Sequence, residues 1–377
     1  MRFAPLLQRR RALRWLLATG GGLGLFGCGG GGTDRVGSAA LSLDRPGDAD
    51  FDAASATQAG SLYGLTDLGS LEPGANSFAF ALNARGEVTG QSGTLADGST
   101  RAFLYSGGSM QDLGTLDGGE SSFGRDINAS GAVTGSSTSA NPNRVAGAFL
   151  YRHGVMQGVG TLGGPNSIGA GINARGQITG EADTASGAIH AFLYSGGSMQ
   201  DLGTLGGASS TGGAINNAGQ IAGSSDTANG ERHAFFYDNG SMHDIGTLGG
   251  SESVGLGINA KGQITGLSTT PQLGAQHAYL YTGSMLDLGT LGGLFSIGYG
   301  INARGWVVGE STTAQGDDRH AFVHDGTAMR DLNGLLDASG AGWLLQEARD
   351  INDAGRIVAN AIHNGAIHAV LLTPVAG

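Results

Sequence analysis

Seven asparagines, Asn83, Asn128, Asn173, Asn216, Asn259, Asn302 and Asn352, each stand three residues before a glycine. A ring of such amides could hold a polar ligand, but the spacing supports a plainer role. Asn at the first position of a type I turn caps the turn backbone, and Gly suits the fourth position. They are read as turn formers. Five histidines, His190, His233, His277, His320 and His368, open a second recurring word, HAF or a close variant. A metal ion needs several ligands within about 2 Å, and equivalent residues of separate units stand too far apart to share one. Asp67, Asp112, Asp201, Asp244, Asp287 and Asp331 recur in a third word, DLGTL. They are expected to accept backbone or hydroxyl hydrogen bonds at strand ends. A catalytic carboxylate pair would instead break the repeat, because one active site needs unique residues.

Motifs of known chemistries are absent or decayed. Gly158-Val159-Gly160-Thr161-Leu162-Gly163 fits G-x-G-x-x-G, yet it is a degenerate DLGTLG with no helix after it to meet a phosphate. There is no G-x-S-x-G, P-loop or H-E-x-x-H. Neither an enzymatic activity nor a cofactor is expected. The alternatives to a binding module are an envelope enzyme that acts on glycans through loop carboxylates, and a structural spacer.

Variation concentrates in the loops GTLADGST, STSANPNRVAG, DTASGAI, DTANGER, TTPQLGAQ and TTAQGDDR. They place Asp97, Asp183, Asp226, Glu231, Asp317 and Asp318 on one face, with Glu120 and Glu252 beside them. That acidic face is the candidate ligand surface, suited to a cationic protein or a Ca²⁺-bridged glycan. Arg85, Arg175, Lys261 and Arg304 belong to the Asn-x-x-Gly turns of the opposite face.

The three words occur seven times each and in a fixed order, at spacings of 43 to 46 residues until the last unit. That unit carries an extra stretch, LLDASGAGWLLQEARD. In the third unit SIGAGIN and GQITGEA read as two strands joined by Asn173-Ala174-Arg175-Gly176, HAFLY as a third and SMQDLGTL as a fourth. The runs are short, rich in Ile, Val, Phe, Tyr, Leu and Thr, and bounded by Gly, Asn and Ser. No segment keeps a helical apolar period, so helices are not expected. Four antiparallel strands per unit is the size of one propeller blade. The array opens on SLYGLTDLGSL (61–71), which is the tail of a unit, and ends on HAVLL, which precedes a missing tail. Pairing the two would close a ring and remove the exposed strand edges. The expectation for 61–377 is an all-β, seven-bladed β-propeller of four-stranded antiparallel blades, closed by the N-terminal strand.

The recurrent DLGTLGG…S…GIN..G….HAFLY resembles the bacterial extracellular HAF repeat, and DLNGLLDASGAGWLLQEARDINDAG…HAVLLTP resembles its last unit. The likeness covers residues 61 to about 374. Gly158 departs from the aspartate, and Arg101 and Gly147 from the histidine. The resemblance implies export and a repeat architecture, and no particular activity.

The first 27 residues carry five arginines and no acid ahead of a Gly-diluted apolar stretch too short to span a membrane. They read as an export signal, and Gln8-Arg9-Arg10-Arg11-Ala12-Leu13-Arg14 resembles a twin-arginine sequence. Leu25-Phe26-Gly27-Cys28 resembles a lipoprotein cleavage box. Cys28, the only cysteine, would then be acylated, and residues 28–60 would be a flexible linker. The expected location is the outer membrane or cell surface, otherwise the periplasm or exterior. Membrane contact is expected only through the lipid. Without the leader, fifteen basic residues face 31 acidic ones. Nucleic acid is therefore a poor partner, and an envelope or extracellular protein or polysaccharide is favoured.

Overall fold

The computed structural model describes residues 63–94, 98–140, 146–272 and 274–375, apart from the side chain of Asp317. The leader, Cys28, the linker, Leu62 and Asp97 lie outside the described residues.

Each unit folds as its punctuation dictates. In the third, strands Gly163–Ile172, Ile178–Thr184, Ile189–Ser195 and Ser198–Asp201 pair in chain order, every pair antiparallel. Among the described residues five sheets have four strands each. A sixth, running from Ser253 to Asp331, is two such sets joined by a single parallel pairing of Gln276 with Phe295. The fold is all-β, built of four-stranded antiparallel sheets.

The strand Tyr63–Asp67 pairs antiparallel with Ala366–Pro374, Tyr63 opposite Pro374 and Asp67 opposite Val370. It supplies the outer strand of the sheet whose other members are Leu344–Ile351 and Ile357–His363. First strands of successive units neighbour one another, and Leu344–Ile351 neighbours Ser77–Leu82. The first strands therefore encircle a common space, and the fourth strands lie outermost.

Two expectations are corrected. The fourth strand stops at Asp201, so LGTL leaves the sheet: Gly203 takes φ of 71°, and Asp201 Oδ1 accepts its N–H at 2.8 Å. A left-handed glycine ends a strand there at little steric cost. Helix is also present, as two 3₁₀ turns at Leu332–Leu335 and Ala338–Gly340, capped by Asp331 and Asp337. The first falls in the DLNGL word and reaches the extra stretch of the last unit only at Leu335; the second lies within that stretch, which clasps the first strand. Asp337 N–H donates to Tyr63 O at 2.9 Å, and Leu65 N–H donates to Ser339 Oγ at 2.7 Å.

The core lies between sheets. Along HAFLY adjacent side chains point to opposite faces, and both are covered. Phe192 packs on Ala148 of the preceding unit and Ala191 on Phe235 of the next, so neither has accessible surface while the His stays partly exposed. Phe149 and Val133 pack against Ala81 and Ala102 of the preceding unit. The same joint links the ends of the chain, where Phe103, Val88 and Leu68 pack with Val358 and Ala369. Each buried Phe contributes about 1.5–3 kcal/mol. The small HAF alanine lets the sheets approach. Gly180, beside a bulge at Gly169/Gly171, is fixed more tightly still, because an added Cβ would overlap the Ile168 carbonyl oxygen.

Candidate functional site

The polar residues of the repeat satisfy one another. Each turn asparagine accepts two backbone N–H groups; Asn173 Oδ1 takes those of Arg175 and Gln177 at 3.0 and 3.1 Å. Its amide then donates to the Asn216 carbonyl of the next unit at 3.1 Å. The pattern runs from Asn83 to Asn128, Asn173, Asn216, Asn259, Asn302 and Asn352. It returns from Asn352 to the Asn83 carbonyl at 3.1 Å. All seven side chains are buried. The turn role holds, and the amides are occupied within the scaffold rather than offered to a ligand.

The histidine and aspartate words, separate along the sequence, form one pair in each unit that has both. His190 Nδ1 lies 2.8 Å from Asp201, His233 2.8 Å from Asp244, His277 2.9 Å from Asp287 and His320 2.6 Å from Asp331. His368 meets Asp67 at 3.1 Å, across the joint between the chain ends. Where arginine replaces histidine the partnership persists, Arg101 to Asp112 at 3.9 Å. Where one partner is missing, both are: Gly147 and Gly158 stand in the same unit at the paired positions. That joint loss, together with the fixed spacing of the two words, was the signal available in the sequence. Each pair also leaves a carboxylate oxygen to cap the following turn, as Asp244 does for Gly246 N–H at 2.8 Å. Among the described residues no group of three or more His, Cys, Asp or Glu could hold a metal.

The loop acids are dispersed. Asp183 accepts from Asn166 Nδ2 at 2.8 Å, Asp226 pairs with Arg232 at 3.1 Å, and Glu231 lies 3.6 Å from His233 Nε2. Asp318 is exposed and follows Asp317 on the strand Gly316–His324. These loops do adjoin the connections between units, as Arg232 bridges to Glu252 and Leu162 to Thr184.

A constellation that departs from the repeat lies on the encircled space and was not anticipated. At the bulge of the first strand most units carry Phe80, Ala170, Gly213, Leu256 or Tyr299, but two carry Arg125 and Arg349. The Arg349 guanidinium lies 4.0 Å from the Tyr299 ring centroid and 5.2 Å from that of Phe80. Arg125 stands over the same Phe80 ring at 5.0 Å. Cation–π contacts of this kind stabilise by about 0.5–2 kcal/mol. Carboxylates from second strands and the last unit complete the set. Arg349 pairs with Glu347 at 3.3 Å, Arg319 pairs with Glu310 at 3.0 Å, and Asn360 Nδ2 donates to Glu347 at 2.8 Å.

Burial shifts these groups. It lowers the Arg125 guanidinium to about 10, with repulsion from Arg349 adding to the effect. It raises Asp126 to about 7, assisted by the charge of Asp350, although Asp126 accepts the N–H groups of Ile172 and Ile127 at 2.7 and 2.8 Å. Asp350 is raised by burial to about 6 while accepting from Leu82 N–H at 3.0 Å. Glu310 is raised by burial first and by repulsion from Glu347 second. Gln91 Oε1, Arg125 Nε and Arg349 Nε are buried without a hydrogen-bond partner. The sequence signal was present: charges in a strand word that is otherwise Gly, Ala or apolar.

No protein-family model matches the chain, and no curated protein matches it. Solved structures do. A puromycin-hydrolyzing peptidase of Mycobacterium tuberculosis aligns at TM-score 0.53 and 13% identity, over 82% of this chain and 54% of its own length. TolB of Acinetobacter baumannii aligns at TM-score 0.42 and 13% identity, over 80% of this chain and 64% of its own. A fungal lectin of six-bladed β-propeller fold, Aleuria aurantia lectin, aligns at TM-score 0.37 and 11% identity, over 68% of this chain and 94% of its own. The neighbours are β-propellers. They include enzymes and non-enzymes, and at these identities the likeness concerns the fold alone.

Proposed function

We propose that residues 61–377 form a seven-bladed β-propeller closed by the N-terminal strand, and that it serves as a non-catalytic binding module of the bacterial envelope or surface. The seven-step asparagine cycle and the pairing of Tyr63–Asp67 with Ala366–Pro374 support the closed count. Of the four buried side-chain atoms without a hydrogen-bond partner among the described residues, Gln91 Oε1, Arg125 Nε, Thr270 Oγ1 and Arg349 Nε, the two arginine nitrogens are the observation that carries the binding role. Buried polar groups are almost always satisfied by protein or water, and exceptions call for an explanation. Both arginines stand at a first-strand bulge where the sequence leaves its repeat, over one Phe80 ring. A ligand supplying acceptors there explains both facts.

The wider reading keeps the sequence-based expectations as proposals. Residues 1–27 direct export, Cys28 is acylated, and residues 28–60 tether the propeller to the outer membrane or surface. Retention of a Cys28→Ser chain in the membrane fraction would count against acylation. Asp183, Asp226, Glu231, Asp317 and Asp318, with Asp97, form a second candidate surface for a cationic protein or a Ca²⁺-bridged glycan. An enzyme acting on glycans is the weaker reading, because Asp183 and Asp226 already have partners.

The test is binding of the purified full chain to a glycan array and to envelope fractions, with calcium present or chelated. A saturable ligand lost in Arg125→Ala or Arg349→Ala supports the enclosed site. Loss in Asp318→Asn alone moves the site to the loops. Turnover of a bound glycan contradicts the non-catalytic reading.

A further inference from the structure

The two ends of the units differ in charge. The seven Asn-x-x-Gly turns with the residue after each glycine hold five cations, Arg85, Arg175, Lys261, Arg304 and Arg356, against two acids, Glu87 and Asp353. This is the reverse of the chain, which has 31 acidic and 20 basic residues. The protein's one lysine is among them. Arg85 is engaged by Glu87 at 2.5 Å, and Arg356 Nη1 donates to the Arg85 carbonyl at 3.2 Å. Arg175, Lys261 and Arg304 are exposed and form no ion pair among the described residues. Of the two acids, Asp353 is held by the Ala303 N–H at 2.8 Å.

The same turns border two adjoining hollows of about 220 and 180 Å³, which share Ala260 and take at least one lining residue from every turn. Ile172, Ile215, Ile258, Ile301 and Ile351 contribute apolar surface to them, and the turn asparagines contribute polar surface. Each hollow is smaller than the roughly 300–1,000 Å³ of a cleft that encloses a drug-sized ligand. Together they suit successive residues of an extended chain. The cations are spread from unit to unit around the hollows, which suits charges spaced along a polymer better than a single anion.

We propose that the Asn-turn face docks an acidic polysaccharide, with carboxylate or sulfate groups on Arg175, Lys261 and Arg304 and sugar rings in the two hollows. Its cations are other residues than Arg125 and Arg349 and than the loop acids, so separate variants test it independently of them.

The test uses the purified full chain with polygalacturonate, dextran sulfate, neutral dextran and anionic phosphatidylglycerol vesicles as probes. The expected result is saturable binding to a polyanion that weakens steeply with salt. The variant Arg175→Glu/Lys261→Glu/Arg304→Glu loses at least about thirtyfold in affinity, while Asp318→Asn on the opposite face does not. Polygalacturonate binding assigns the anion to carboxylate, and dextran sulfate binding alone assigns it to sulfate. Equal binding of neutral dextran, an unchanged affinity in the triple variant, binding to vesicles only, or no binding at all overturns the proposal. The three side chains are exposed, and the triple Ala variant, melted beside the wild type, checks that the fold is intact.

Discussion

The repeated scaffold and the strands that line the enclosed space follow opposite rules. In the scaffold a polar side chain finds the same partner unit after unit: Asn173 on Asn216, His190 on Asp201, Ser210 Oγ on Gly203 O. Facing the enclosed space, equivalent positions hold Phe80, Arg125, Leu256, Tyr299 and Arg349, and buried guanidinium nitrogens lack partners. Repetition serves the scaffold, since each repeated donor is consumed within its own unit, as His190 is, or by the neighbouring one, as Asn173 is. Recognition is left to the residues that differ. Lesions in the first group should therefore cost stability, and lesions in the second should change charge behaviour with the fold intact.

The largest expected effect breaks the scaffold outright. Deleting residues 61–71 removes the strand partner of Ala366–Pro374, the Asp67 partner of His368 and the Leu68 contact with the last unit's core. The truncated chain should aggregate, since a whole domain's margin is only about 5–15 kcal/mol. A soluble truncation with a cooperative melt contradicts closure.

Asn173→Ala comes next. It strips two accepted backbone bonds and one donated bond to the neighbouring unit, all in a buried turn. At about 1 kcal/mol per bond, and more where a buried partner is stranded, denaturant melts should show a loss of roughly 2–4 kcal/mol. A loss below about 1 kcal/mol would mean the cycle is incidental.

The residues facing the enclosed space should respond to pH instead. Asp126 and Asp350 have folded values near 7 and 6, above their usual carboxylate range. Raised acids bind protons more tightly when folded, so their contribution is fully present below about pH 4 and is lost as pH rises through 6 to 7. Wild type minus Asp126→Asn melting temperatures should therefore fall between pH 4 and 8. A difference that stays flat rules out the shift.

The smallest effect sharpens the scaffold side. A double-mutant cycle on His190 and Asp201 should give a coupling of about 0.2–1 kcal/mol, as for other partly exposed pairs. Installing the pair in the unit that lacks it, by Gly147→His with Gly158→Asp, should gain a few tenths of a kcal/mol over the sum of the single changes. Zero coupling in both places would leave the joint loss at 147 and 158 without a physical cause.

Much of this architecture was legible because it repeats. Strand content, the turn role of the asparagines and the partnership of residues 63–67 with the chain's end all follow from aligning the sequence with itself. The histidine–aspartate pairs were within reach, since both partners are lost together, to Gly147 and Gly158. The Asp337-capped turn was not, because a one-copy insertion has no period to read. Nor was the role of Arg125, Arg349, Asp126 and Asp350, which depends on where a bulge turns the first strand. The loop acids were overweighted: charge in a sequence does not reveal that Arg232 lies beside Asp226.

Closure is the central claim, and a disulfide across the joint tests it most directly. Thr66 and Leu371 face each other in the register of the closing pair. In a Cys28→Ser background, Thr66→Cys with Leu371→Cys should oxidise to an intrachain disulfide in the purified chain. It should run faster on a non-reducing gel and melt higher than its reduced form. Cysteines that stay reduced, or that join only between chains, would contradict a ring closed by its first strand.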